Sequence, residues 1–164
     1  MTLKIVTIIG KSGSGKTTLM EKLILELKER GYRIGTLKHH SHSGFDIDKP
    51  GKDSWRHAQA GSDHVIIAAP DKIASYRLIQ KEMEFEEILK EFKELDLVLV
   101  EGYKSANQQS IEVLRKENGT ELIGEPHLRI AVASDMNLEL DVPVVGLDDV
   151  SALADLIEQD ILEV

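Results

Sequence analysis

Eight residues, GKSGSGKT at positions 10–17, have the types and spacing needed to hold a phosphate group. Gly10, Gly13 and Gly15 let the backbone curl around an anion without side-chain clashes, and Ser12 and Ser14 complete the loop. Successive N–H groups would point inward, and the start of a following helix would add partial positive charge. Lys16 has the reach to meet the β- and γ-phosphates of a nucleotide, and the Thr17 hydroxyl can ligate Mg²⁺. The bland alternative is a Gly/Ser turn that merely joins a strand to a helix.

A second acid-bearing stretch is the natural companion. LDLVLVEG reads as a buried strand that ends in Glu101. In an open parallel sheet, ligands bind at the carboxyl ends of the strands. Glu101 is therefore placed to hold Mg²⁺ through a water or to polarise an attacking water. Most phosphate-loop enzymes use Asp here, so the longer Glu is a departure, and a plain strand-end acid is the alternative. Lys16 and Glu101 are the expected catalytic pair, with Thr17 and Glu101 as metal ligands.

The third stretch is GTLKHHSHSGFDID at 35–48, with His39, His40 and His42 close together and Asp46 and Asp48 behind them. Imidazole nitrogens and a carboxylate could hold Zn²⁺ or Ni²⁺. Adjacent side chains on an extended chain point to opposite faces, which argues against His39 and His40 sharing one ion. A solvated polar loop is a second reading. The preferred reading is a loop in which the imidazoles, Lys38, Asp48, Lys52 and Arg56 meet the γ-phosphate, Mg²⁺ or another anionic ligand.

The elements that must position these residues follow from periodicity. LKIVTIIG (3–10), YRIGTLKH (32–39), DLVLVEG (96–102), LRIAVAS (128–134) and VPVVGL (142–147) read as strands. Helices are expected over 16–31, 53–61, 84–95 and 149–162. HVIIAA and KIASYRLI, separated by a Pro-Asp pair, predict one hairpin, and SIEVLRK and TELIG around Asn118-Gly119 predict another. Apolar strands alternating with helices predict an α/β fold: a phosphate-loop NTPase-type three-layer sandwich, its sheet mainly parallel, with antiparallel hairpin additions. At 164 residues with no visible linker, a single domain over 1–164 is expected.

Taken together, GKSGSGKTTLMEKL, IGTLKHHSHSGFDIDKPGKDSWRHAQAG and LVLVEGYK resemble the molybdopterin-guanine dinucleotide biosynthesis adapter family, MobB. The similarity runs over residues 3–103 and continues, less closely, through RIAVASD to the last helix. It implies a GTP-binding homodimer with slow GTPase activity. Family members assist the guanylyltransferase that joins GMP to molybdopterin, which makes molybdopterin itself a possible bound ligand. By position, Gly13, Gly15, Lys16, Thr17 and Thr18 would hold nucleotide phosphate and Mg²⁺. The guanine-reading pattern Asn-Lys-x-Asp is absent; Asp135 in AVASD can accept from guanine N1 and N2, or simply cap a turn. Lys11 is laid out like the lysine that reaches across a dimer in some nucleotide-switch proteins, although Ser12 stands where they carry glycine.

Composition narrows the field. A net charge of −9 argues against broad binding to nucleic acid or an anionic membrane. The absence of cysteine removes disulfides and thiolate metal sites. The first apolar run is too short for a signal peptide or membrane span, so a cytoplasmic location is expected. Three other functions remain open: a GTPase that delivers nickel, a small-molecule kinase, and a module that binds nucleotide without hydrolysing it. No long Arg-rich lid is visible for the kinase.

Overall fold

The computed structural model describes residues 3–42 and 44–163. In chain order the elements are β1 (Lys4–Ile9), α1 (Lys16–Glu29), β2 (Ile34–Lys38), α2 (Asp53–Gln59), β3 (His64–Ala69), β4 (Lys72–Arg77), α3 (Phe85–Leu89), β5 (Leu97–Glu101), β6 (Ser110–Leu114), β7 (Arg129–Ser134), β8 (Val144–Gly146) and α4 (Val150–Ile157). They group into two compact units, one of residues 1–39 and 89–164, the other of residues 40–88.

The larger unit holds a six-stranded sheet in the order β2-β5-β1-β6-β7-β8, parallel at every pairing. After β1 the chain moves to one side, through β2, and later to the other, through β6, so the order reverses at β1. That reversal opens a crevice at the carboxyl end of β1, where α/β sheets place their ligands. Because every strand points the same way, Gly10, Lys38, Glu101, Arg115 and Asp135 all leave the sheet at one edge.

One face of the sheet carries the main core. Leu19, Leu23 and Leu27 recur every four residues on α1, which puts them on one stripe. They bury against Val6, Ile8, Leu97, Leu99, Ile111 and Val113 of the central strands, together with Leu153 and Ile157 of α4. Asp149 caps α4 by accepting from the Ala152 N–H at 3.3 Å. The closing helix predicted over 149–162 is present, but its last turn, Glu158–Leu162, is a π-helix.

The opposite face is closed mainly by irregular chain. Glu112, on interior strand β6, is only 1% exposed. Its carboxylate accepts from the backbone N–H groups of Ile123 and Gly124 and from Arg129 Nε at 3.0 Å. Arg129 also donates to the Gly124 carbonyl at 2.8 Å. A charged pair thus straps the segment around Gly124 onto the sheet beside Ile9.

The smaller unit contains α2, the hairpin β3–β4 and the histidine-rich stretch from His40 onward. Tyr76 donates to an Asp48 carboxylate oxygen at 2.9 Å, and hydrogen bonds from Ser54 and Tyr76 hold the Asp48 carboxyl below its usual range. Ile66 and Ile73 lie on the face of the hairpin that leaves them 59% and 74% exposed.

Three expectations need correction. The hairpin around Asn118-Gly119 does not form: β6 already pairs with β1 on one side and β7 on the other, so no edge is open to a returning strand. Lys116–Asn118 is instead a 3₁₀ turn, and Ile111 and Val113 are core residues. The β3–β4 hairpin exists as a separate two-stranded sheet, not as an extension of the parallel one. The helix predicted over 84–95 stops at Leu89, because Phe92 and Leu95 turn onto Gly35 of β2, where an added Cβ would sit 2.9 and 2.6 Å from them.

The buried pair yields a test. Arg129→Ala leaves Glu112 charged and buried without its ionic partner, which costs about 3–5 kcal/mol. Urea unfolding should show the loss as a lower midpoint at unchanged slope.

Candidate functional site

β1 runs straight into the phosphate loop. At Gly10 (φ 150°) a Cβ would lie 2.5 Å from the Val113 carbonyl oxygen and 2.7 Å from Ser14 Oγ, so neighbouring β6 comes as close as the backbone allows. Gly15 is the residue before α1, at φ 94°, a left-handed conformation that a side chain resists. No side chain caps the N-terminus of α1. Ser14 Oγ is buried with no hydrogen-bond partner. An open helix start and an orphan hydroxyl in one tight loop fit an anionic guest.

Lys16 Nζ folds back over the loop and donates to the carbonyls of Gly10 and Lys11, each at 2.9 Å. Burial lowers the pKa of this amine; nearby Glu101 opposes the shift and nearby Lys38 adds to it. Thr17 Oγ1 donates to Glu101 Oε1 at 2.9 Å, and Lys38 Nζ donates to the same oxygen at 2.6 Å. Glu101 is 8% exposed. The register Lys38↔Glu101 between β2 and β5 brings the two charges together. The hydroxyl and carboxylate oxygens so juxtaposed form a hard donor pair that suits Mg²⁺. Thr18 lies exposed in the first turn of α1, and Ser12 and Gly13 are exposed at the loop tip.

The far side of the loop is held by residues that sequence reasoning did not single out for chemistry. Arg115 Nε donates to the Ser14 carbonyl at 3.0 Å, and its guanidinium lies against Gly15. Asn118 Nδ2 donates to the Ser12 carbonyl at 2.8 Å. Asp135, at the end of β7, accepts from the Lys116 N–H at 2.9 Å. It also borders an open pocket of about 350 Å³ between the ends of β7 and β8. Lys11 Nζ sits 3.8 Å from Glu121 of its own chain. Reading 110–124 as a hairpin hid Arg115 and Asn118; knowing that β6 is interior and parallel would have placed both at the phosphate edge.

The histidine-rich stretch is divided. Lys38 and His39 belong to the larger unit, where the His39 ring lies 4.2 Å from that of Tyr103. His40, His42, Asp46, Asp48, Lys52 and Arg56 belong to the smaller one. There the His40 ring meets His42 and Phe45 edge-on, at 6.0 and 5.9 Å. Lys52 precedes α2, and Arg56 lies in its last turn. Among the described residues no group of three His, Cys, Asp or Glu side chains is placed to hold a metal ion.

The Arg115 bond predicts a local effect. Arg115→Ala removes a charged donor worth about 1.5–3 kcal/mol. Hydrogen exchange should quicken at residues 12–18, while the amides of β5 keep their protection.

A family described as "Molybdopterin guanine dinucleotide synthesis protein B" matches residues 5–135. The molybdopterin-guanine dinucleotide biosynthesis adapter protein of Escherichia coli K12 is 41% identical over 89% of this chain and 86% of its own. That of Haemophilus influenzae is 39% identical over 95% and 88%. The crystal structure of Bacillus subtilis MobB superposes with a TM-score of 0.76 at 27% identity, covering 97% of this chain and 98% of the other. With the phosphate loop, the parallel sheet and these likenesses in hand, the chain belongs to the MobB family.

Proposed function

We propose that this protein is a GTP-binding adapter in the synthesis of the guanine dinucleotide form of the molybdenum cofactor, with a slow GTPase activity. The observation that carries the nucleotide reading is the meeting of Thr17 Oγ1 and Glu101 Oε1 at 2.9 Å beside the open N-terminus of α1. The adapter role rests on relatives named as molybdopterin-guanine dinucleotide biosynthesis adapter proteins.

The loop N–H groups and the start of α1 take the phosphates. Lys16 exchanges its carbonyl partners for phosphate oxygens. Thr17 and Glu101 would hold Mg²⁺, which supplies charge neutralisation at the phosphates. Glu101, already receiving a hydrogen bond from Lys38, orients a water. The base occupies the pocket beside Asp135, whose carboxylate accepts from guanine N1 and N2. Molybdopterin and the guanylyltransferase are the ligand and the partner of the pathway.

The protein works as a homodimer in this reading. An isolated two-stranded hairpin is marginal in water, yet β3–β4 exposes Ile66, Ile73 and the following Leu78 and Ile79. A second copy of the same face is the occupant that covers them.

Lys16→Ala should weaken GTP binding by about 1.5–3 kcal/mol, on the order of 10- to 150-fold in Kd, with the circular dichroism spectrum unchanged. Unaltered affinity in calorimetry would sink the assignment. Bound phosphates raise the lowered Lys16 pKa again, so wild-type binding takes up a proton on the alkaline side. GTP affinity should therefore fall as pH rises between that lowered value and 10.5, and this slope should vanish in Lys16→Ala.

Light scattering should give twice the chain mass. Ile66→Lys combined with Ile73→Lys should give the monomer mass, with Lys16-dependent GTP binding retained. A monomeric wild type, with or without GTP, rejects the dimer.

A further inference from the structure

On the sheet face away from α1, beside the phosphate loop, lies a pocket of about 270 Å³. Gly10 of the loop forms one wall, and Ile9 and Ile123 make the walls apolar. His39, Tyr103 and Lys104 close the other side. The backbone N–H of His39 donates to the Glu101 carbonyl at 3.1 Å, extending the β2–β5 pairing and setting its ring beside Tyr103.

The turn carrying Tyr103 is held in an unfavourable shape. Among the described residues only Glu94, Tyr103 and Asn107 are non-glycines with positive φ. Two of those three, Tyr103 at 56° and Asn107 at 52°, bracket the 3₁₀ turn Lys104–Ala106. Strained backbone of this kind persists where the surroundings impose it, and it gathers at binding sites. Here it has a definite product: an aromatic ring, one residue after Gly102 and two after Glu101, on the wall of an apolar pocket that Lys104 also lines.

We propose that this pocket is a second ligand site, which takes a flat heteroaromatic molecule bearing an anionic group. The ring system lies against Tyr103, between it and the aliphatic wall of Ile9 and Ile123, and the anion faces Lys104. Gly10 is common to this pocket and the phosphate loop, so the two ligands are neighbours. The proposal rests on the adapter reading only for its biological meaning, since a pterin bearing phosphate is such a molecule.

Pterin-6-carboxylate, which is fluorescent, serves as the probe, titrated into the full-length chain with and without GTP; cyclohexanecarboxylate is the non-aromatic control. Wild type and Tyr103→Phe should bind the probe saturably. Tyr103→Asn, a residue that tolerates the left-handed backbone, should bind it about tenfold more weakly, as expected for a lost stacking partner, with GTP affinity within about twofold of wild type. Ile123→Trp should fill the pocket from the opposite wall and produce the same loss, which decides the matter if Tyr103→Asn folds poorly. Lys104→Ala should weaken binding and flatten its salt dependence. Equal probe affinity in wild type and both pocket-blocking variants overturns the proposal, as does equal binding of cyclohexanecarboxylate. A wild type that binds GTP but not the probe also overturns it while leaving the nucleotide reading intact. A wild type that binds the probe but not GTP does the reverse.

Discussion

One carboxylate joins the elements that frame the phosphate edge of this molecule. Glu101 Oε1 accepts from Thr17 at the start of α1 and from Lys38 at the end of β2, while Glu101 itself ends β5. The start of a helix and the ends of two neighbouring strands thus meet at one oxygen. The carboxylate is nearly buried, so it must have donors, and both come from the elements beside it. The arrangement depends on parallel register: Lys38 and Glu101 are directly opposed only because Ile34 pairs with Leu97 at the other end. A slip of β2 by one residue would turn the Lys38 side chain to the face opposite Glu101.

A second buried carboxylate solves a different problem. Parallel sheets need cover on both faces, and here only one face has long helices. Glu112 anchors the irregular segment 123–129 on the other by accepting two backbone N–H groups and binding Arg129. Those N–H groups would otherwise lie against apolar strands without partners. The strap also carries Ile123 to the wall of the pocket behind the phosphate loop. A residue in the middle of a strand therefore shapes a cavity that it does not itself line.

Much of this was legible in the residues. The glycine spacing of the loop, the β-branched runs and the four-residue leucine stripe each follow from local rules, and the structure carries β1, α1, β2, β5, β7, β8 and α4 where those rules put them. What was not legible depended on neighbours distant in sequence. SIEVL looks like half of a hairpin because Asn-Gly follows it, and turn chemistry knows nothing of β1 and β7 on either side. Phe92 and Leu95 continue a helical period, yet the space over Gly35 takes them out of the helix. Arg115 is unremarkable until its strand is known to be interior and parallel. Glu112, an acid among apolar residues, reads as an exposed position unless Arg129 and the 123–124 amides are seen beside it.

The strand order also sets a timetable for synthesis. β1 pairs only with β5 and β6, and the first of those registers joins Lys4 to Leu97. Nearly ninety residues must be made between the end of β1 and the start of its first partner. At 5–20 residues per second that is roughly 4–18 s during which the Val6–Ile9 segment has no strand to join. α1 can form and shield part of it, since its leucine stripe is local. The centre of the sheet, with its phosphate edge, still comes into being only after β5 and β6 arrive, so a ribosome stalled before residue 97 would hold a chain with a complete phosphate-loop sequence and no crevice to bind with.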